Sequence, residues 1–228
     1  MDPREAAAAA SIGRLLEAAR RRSSDLAAEL HPAWLQHGCR QLGLDASVAT
    51  ASPRRCSAAL QALFELQWPT LDRFQFPAHR IAVLPRDDIR RVLAVVALHA
   101  QRERVRLCIG HGLRAALVDR VGEAVYARML EAPPLRGGGP EPLSAAELDP
   151  ERLAWDGLAR LLEIGAWRSR RLLRWMQIAF APRAGKKLPR PRSGGPQEIL
   201  TCLPSYFPEH AWLFGLPMDR ALSASTTD

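Results

Sequence analysis

Histidine and cysteine are the residues with the clearest potential for chemistry, because clusters of them can hold a metal ion. His31, His37 and Cys39 lie within nine positions, and Cys108 and His111 form a second loose pair. A structural zinc site needs four ligands in a tetrahedral shell, and neither group supplies four. The four cysteines also form no Cys-x-x-Cys pair. We therefore expect buried thiols and ordinary helix histidines, with no metal and no cofactor.

Motifs for phosphate binding and nucleophilic catalysis are missing from the sequence. The glycine run 137–139 is not followed by the Gly-Lys-Ser/Thr that would hold a phosphate. Gly110 and Gly112 lie within a predicted helix, whereas a dinucleotide loop needs a strand-to-helix turn. No Gly-x-Ser-x-Gly elbow is present, and Asp87 with Asp88 fits the first turn of a helix better than paired-carboxylate chemistry. We therefore predict that the chain is not an enzyme.

A run of arginines is the best candidate for binding a partner. The run and its flanking tryptophans are Trp167, Arg168, Arg170, Arg171, Arg174 and Trp175. One interpretation is a solvated helix face. A second is a docking surface in which arginine forks pair with carboxylates and the two tryptophans act as anchors. A third is nucleic acid, although the sequence contains no recognition-helix motif.

The basic charge of the chain is concentrated around this run. The chain has 228 residues and a formal net charge of +8, and 30 of its 32 basic residues are arginines. The window 160–192 holds ten basic residues and a single carboxylate, Glu163, so its net charge is +9. The rest of the chain is therefore close to neutral. Such a segment favours an acidic partner, which is an acidic protein face, anionic lipid or nucleic acid.

Apolar periodicity predicts a mainly helical chain with enough apolar residues, 47%, for a sizeable core. Helices are predicted over 4–30, 32–43, 52–68, 85–100, 101–131 and 151–180, the last with a break near Gly165. Residues 85–100 are apolar nearly all round, which indicates a central helix. Three glycines in 101–131 indicate close helix packing or a kink. The connection 69–85 could include a short strand at 80–84, and Arg20–Arg22 is expected to be a solvated patch.

The predicted fold class is all-α, a single globular multi-helix domain whose long C-terminal helix packs back on the body. Residues 1–131 form its N-terminal helical region and 151–216 its C-terminal helical region. The Pro/Gly-rich linker 132–150 separates them, with five prolines and three adjacent glycines. Residues 181–197 are expected to be mobile and 217–228 to be a disordered tail. The longest uncharged apolar stretch, 92–100, is too short to span a bilayer, and the mixed charges of the first ten residues predict no secretory signal.

Several segments resemble the SctK (YscK-like) family of type III secretion systems. They are His31-Pro32-Ala33-Trp34-Leu35, Leu84-Pro85, Arg106–Ala115 and Val121-Gly122-Glu123. The similarity covers about residues 30–180, without the linker and the basic tail. It implies a non-enzymatic adaptor of the cytoplasmic sorting platform, at the cytoplasmic face of the bacterial inner membrane. The implied partners are the cytoplasmic domain of an SctD-like inner-membrane ring protein and an SctQ-like pod protein, which connects to the ATPase assembly.

The alternative function is a helical nucleic-acid-binding protein that uses the basic window 160–192. A true binder of DNA loses affinity steeply as salt is added, because it releases counterions from the phosphates. An adaptor is expected to bind DNA only weakly and without regard to base sequence.

Overall fold

The computed structural model describes residues 3–45, 53–132, 141–182, 188–189 and 198–214. The α-helices of these ranges are α1 (Pro3–Ser24), α2 (Leu26–Glu29), α3 (Pro32–Gln41), α4 (Pro53–Leu63), α5 (Pro77–Arg80), α6 (Arg86–His99), α7 (Arg102–Arg106), α8 (His111–Val121), α9 (Glu123–Glu131), α10 (Pro150–Glu163), α11 (Arg170–Gln177), α12 (Glu198–Tyr206) and α13 (Ala211–Phe214). Short 3₁₀ turns occur at Leu71–Gln75, Ile81–Val83, Ala145–Leu148 and Pro208–His210. These described ranges contain no β-strand, so the all-α prediction is confirmed.

Several predicted helices end earlier than expected. The helix predicted over 4–30 is two helices, because α1 ends at Ser24 and α2 begins at Leu26. The helix predicted over 52–68 ends at Leu63, and Glu65 follows with a left-handed φ of 52°. The strand considered at 80–84 was wrong. Those residues form the end of α5 and the 3₁₀ turn Ile81–Val83, because Pro77 at the first position of α5 favours a helix.

The single helix predicted over 101–131 is three helices, α7, α8 and α9. Gly122, at φ 89°, separates α8 from α9. A Cβ atom on this residue would lie 2.9 Å from Nη2 of Arg91, and Nε of Arg91 donates to the carbonyl of Val121 at 2.9 Å. The backbone conformation at Gly122 therefore requires glycine, because other residues rarely adopt this φ. The sequence left close helix packing and a kink as alternatives. The structure shows that the helix is interrupted at Gly122.

The region predicted as 151–180 has the expected break. Gly165 adopts a φ of 69°, and it lies between the end of α10 and the start of α11. The long C-terminal helix is thus two shorter ones. Part of the predicted linker is also packed, because Leu143 and Leu148 are buried and Ser144 with Glu147 forms a capping box on the turn Ala145–Leu148. Residues 133–140 of the linker, and the predicted tail 217–228, lie outside the described residues.

The chain forms two compact units, each assembled from separate stretches. Unit 1 comprises Met1–Arg86, Trp167–Lys186 and Trp212–Asp228, and unit 2 comprises Asp87–Ala166 and Lys187–Ala211. The core of unit 1 includes the cluster Leu26, Leu30, Cys39, Cys56, Leu60, Leu66, Trp175 and Ile178. Helix α11, from the far end of the sequence, therefore packs directly on the N-terminal helices.

In unit 2, helix α6 is central, as predicted. Every residue from Val92 to His99 is buried. Helix α10 approaches it closely at Gly157, where a Cβ atom would lie 2.0 Å from the carbonyl oxygen of Leu93. Only glycine allows the two backbones this separation. None of the helices in the described ranges has the length and apolar character that a bilayer-spanning segment requires.

Candidate partner-binding surface

The two tryptophans that flank the arginine run are core residues. Trp167 is 1% exposed and Trp175 is fully buried. The indole of Trp167 donates to the carbonyl of Ser169 at 3.0 Å and meets the ring of His79 edge to face at 5.2 Å. Trp175 stacks on Trp68 with ring centroids 4.2 Å apart. Both tryptophans therefore support the surface from beneath, and this structure does not present them to a partner as anchors.

The four arginines of the run are all exposed to solvent. Helix α11 begins after Ser169, whose hydroxyl accepts from the N–H of Leu172 at 3.3 Å. Helical spacing places Arg170, Arg171 and Arg174 on one side of α11, opposite the buried Leu172, Trp175 and Met176. Arg168 lies just before the helix. We call Arg168, Arg170, Arg171 and Arg174 the arginine surface.

The arginine surface carries more positive charge than its neighbours neutralise. Arg174 pairs with Glu65 at 2.6 Å, and both side chains are more than half exposed. The guanidinium of Arg168 lies over the ring of Phe76, 5.3 Å from its centroid. Arg170 and Arg171 form no ion pair with any residue that the structure describes. One carboxylate thus faces four guanidinium groups, an imbalance that favours an acidic ligand.

A neutral histidine, His79, binds the backbone just before α11. The backbone N–H of Arg168 donates to Nε2 of His79 at 2.9 Å, and Nδ1 of the same ring lies 2.5 Å from the carbonyl oxygen of Arg73. Because Nε2 accepts, Nδ1 must carry the proton, so the ring is neutral. Burial lowers the pKa of His79, and the nearby charges of Arg73 and Arg168 lower it further.

Two buried arginines, which sequence reasoning missed, fasten unit 1 beneath this surface. Arg22, expected to be solvated, is 3% exposed and donates to the carbonyls of Ala82 and Trp175. Burial lowers its pKa to about 10. Arg80 is 1% exposed and donates to the carbonyls of Phe74, Gln75 and Leu213. The carbonyls of Ala82, Trp175 and Leu213 lie 60, 153 and 133 positions from the arginines that bind them, and no local sequence pattern indicates such bonds.

Three of the residues considered as metal ligands, His31, Cys39 and Cys108, have structural roles. Nδ1 of His31 accepts from the N–H of Ala33 at the start of α3. Cys39 is buried in the core of unit 1, and the thiol of Cys108 donates to the carbonyl of Arg104 at 3.3 Å. Among the residues that the structure describes, no three or more His, Cys, Asp or Glu side chains are placed to hold a metal ion together.

A family model described as bacterial type III secretion protein (HrpB4) matches residues 6–209. The chain belongs to the HrpB4 family. This membership confirms the resemblance to the SctK (YscK-like) proteins, and it gives the chain a role in a type III secretion system. Comparison of this HrpB4-family chain with curated proteins, and with solved structures, finds no match.

The HrpB4 match covers most of both units and includes the arginine surface. It also includes the segments that carried the resemblance. His31 to Leu35 forms the start of α3. Arg106–Ala115 comprises the end of α7, the connection 107–110 and the first residues of α8. Val121-Gly122-Glu123 forms the joint between α8 and α9. In this HrpB4-family chain these segments therefore lie at helix ends and joints.

Proposed function

We propose that this HrpB4-family chain is a non-enzymatic adaptor of the type III secretion sorting platform, at the cytoplasmic face of the bacterial inner membrane. It joins the cytoplasmic domain of an SctD-like ring protein to an SctQ-like pod protein, and through the pod to the ATPase assembly. Family membership supports a role in the secretion system, and the SctK resemblance suggests the two partners.

The arginine surface is the observation that carries the proposal. Three of its four arginines project from one side of α11, and among the residues that the structure describes a single carboxylate, Glu65, pairs with the group. Guanidinium groups bind carboxylates through two parallel hydrogen bonds, which gives direction as well as attraction. We infer that this surface binds a carboxylate-rich segment of one of the two partners. Exposed ion pairs contribute only about 0.2–1 kcal/mol each, so the four arginines act together.

Charge reversal tests the surface in the full-length chain. The variant combines Arg168→Glu, Arg170→Glu, Arg171→Glu and Arg174→Glu. A matched control reverses four exposed arginines elsewhere in unit 1, with Arg20→Glu, Arg21→Glu, Arg54→Glu and Arg55→Glu. Calorimetry measures affinity for the purified ring-protein domain and for the pod protein, and circular dichroism checks the melting temperature. We expect the first variant to lose at least tenfold in affinity for one partner while the control retains it. Equal affinities of the folded variant and the control would refute the surface.

The adaptor role is tested in cells. A strain that lacks the gene is imaged by electron cryotomography, with a complemented strain as the control. We expect the pods beneath the ring to be missing from the deletion strain and restored by the complementing gene. Pods that remain in place without the gene contradict the adaptor function.

A further inference from the structure

In unit 2, a network of polar side chains joins α12 to α6 and α7. Its members are His99 at the end of α6, Arg102 at the start of α7, and Glu198 and Tyr206 at the two ends of α12. His99 is 5% exposed, Arg102 3% and Tyr206 4%, whereas the side chain of Glu198 is 54% exposed. Polar groups buried this deeply are costly unless they bond to one another. The position of α12 therefore depends on the bonds of this network.

The directions of these hydrogen bonds fix the protonation state of His99. Nη1 of Arg102 lies 3.1 Å from Nε2 of His99, and Nδ1 of the same ring lies 3.0 Å from the hydroxyl of Tyr206. A guanidinium has donors and no acceptor, so Nε2 must accept and Nδ1 must carry the proton. The ring is therefore neutral. A protonated ring could not accept from Arg102, and it would place two positive charges side by side.

One carboxylate, that of Glu198, faces both of these groups. Its Oε1 lies 3.3 Å from Nη2 of Arg102 and 3.8 Å from Nε2 of His99. It would attract a protonated His99, but it already pairs with Arg102, and solvent screens a charge that is half exposed. Burial and the charge of Arg102 lower the pKa of His99, and together they outweigh Glu198, which raises it. The network that holds α12 therefore disfavours protonation of His99.

The chain that follows α12 is held by a second histidine, which responds to acid in the opposite way. Nε2 of His210 lies 3.4 Å from Oδ2 of Asp88, at the start of α6. The hydrogen bond to His210 lowers the pKa of Asp88, and the charge of Arg91 lowers it further. Arg91 itself pairs with Glu209 at 3.4 Å. Protonation of His210 adds a positive charge opposite the Asp88 carboxylate, so acid strengthens this contact.

We propose that α12 is a pH-sensitive latch, which is closed on α6 at neutral pH and opens in acid while His210 holds the chain at Asp88. Opening exposes three apolar side chains that α12 buries, those of Ile199, Leu200 and Leu203. The stabilisation of the closed latch is complete above the pKa of a free histidine, about 6.5. It is lost as the pH falls through the lower pKa of His99 in the closed latch.

Hydrogen exchange of the full chain, read by mass spectrometry of its peptides, tests the latch. Protection factors, which correct for the effect of pH on chemical exchange, are compared at pH 7.5 and pH 5.5. Helix α10, a buried helix of the same unit, is the internal control. One histidine with a free pKa of about 6.5 can change the opening equilibrium by about tenfold at most over this range. We expect the protection of α12 to fall by about threefold to tenfold while that of α10 holds. Equal protection of α12 at the two pH values overturns the latch.

Two variants identify the responsible histidine. His99→Gln removes the titrating group and keeps an oxygen that can accept from Arg102, so it should abolish the pH dependence of α12 protection. His210→Gln is the matched control and should retain that dependence. The reverse pattern, or a dependence that survives in both variants, overturns the role of His99. Nuclear magnetic resonance titration of His99 in the wild-type chain is an independent measurement if His99→Gln does not fold. A pKa of about 6.5 or above for that ring contradicts the latch.

Discussion

At the residue scale, the geometry of the arginine surface depends on the protonation state of a single imidazole. His79 accepts from the N–H of Arg168 and, through its other nitrogen, bonds to the carbonyl of Arg73. A protonated ring has two donors and no acceptor, so it cannot receive the Arg168 N–H. Acid therefore removes the hydrogen bond between His79 and the backbone N–H of Arg168, just before α11.

The pKa of His79 predicts how stability depends on pH. Burial lowers this pKa in the folded chain below the unfolded value of about 6.5, so the folded state resists protonation. The stabilisation is complete above pH 6.5 and is lost as the pH falls through the folded pKa. We expect the free energy of unfolding, measured with urea, to fall between pH 7.5 and pH 5.5.

His79→Asn is the matched variant for this prediction, because asparagine does not titrate. It should show a smaller fall than the wild-type chain over the same pH range. A residual fall is expected because burial also lowers the pKa of His99. An identical fall in the variant and the wild-type chain would show that His79 is not the responsible group.

At the element scale, the position of a glycine decides how closely two helices can approach each other. Gly157 lets α10 meet the backbone of α6, whereas a Cβ atom on Gly112, in the first turn of α8, would have no atom within 4 Å. The same substitution is therefore expected to have opposite effects at the two positions. This comparison isolates packing from helix propensity, because both glycines are helical.

Gly157→Ala should destabilise the chain, because the new methyl group would overlap the carbonyl of Leu93. Overpacking of a core typically costs about 1–3 kcal/mol. Gly112→Ala should stabilise it by about 0.5–1 kcal/mol, because alanine is the better helix former. Urea denaturation at pH 7.5 measures both free energies of unfolding. A neutral Gly157→Ala would mean that α6 and α10 are not in close contact there.

The same elements show how much of the fold is predictable from sequence. Apolar periodicity and proline positions located most helices, including the central α6. At the division between α8 and α9, Nε of Arg91 donates to the carbonyl of Val121, which is 30 positions away along the chain. The burial of Trp175 depends on Trp68, and the burial of Arg22 depends on carbonyls that only the tertiary fold brings near. Local patterns carry no information about such distant partners.

At the scale of the whole molecule, the net charge is divided unequally between the units. Unit 1 has 18 basic and 10 acidic residues, whereas unit 2 has 14 of each. The entire net charge of +8 therefore belongs to unit 1, which also carries the arginine surface. Unit 2 has no net charge. Electrostatic attraction of an acidic partner is therefore expected at unit 1.

Salt should weaken binding at the arginine surface. Added salt screens exposed charges, since the Debye length falls from about 10 Å at 0.1 M to about 3 Å at 1 M. Affinity at the arginine surface should therefore fall across this range, mainly through slower association. Surface plasmon resonance with the purified ring-protein domain and with the pod protein measures this trend. An affinity that does not change between 0.1 M and 1 M salt would contradict binding through the arginine surface.

A duplex DNA probe completes the salt experiment, because the basic window also fits a nucleic-acid-binding protein. When a protein binds DNA and releases counterions, the logarithm of its binding constant falls linearly with the logarithm of the salt concentration. The slope is about −0.9 for each phosphate contacted. Four arginines that each contact a phosphate would give a slope near −4. This salt dependence would disappear in the variant that replaces all four arginines with glutamate. We expect weak binding that does not depend on base sequence, with affinity for the protein partner dominant at 0.15 M salt. Tight, sequence-dependent binding at that salt concentration would contradict the adaptor function and support a nucleic-acid-binding function.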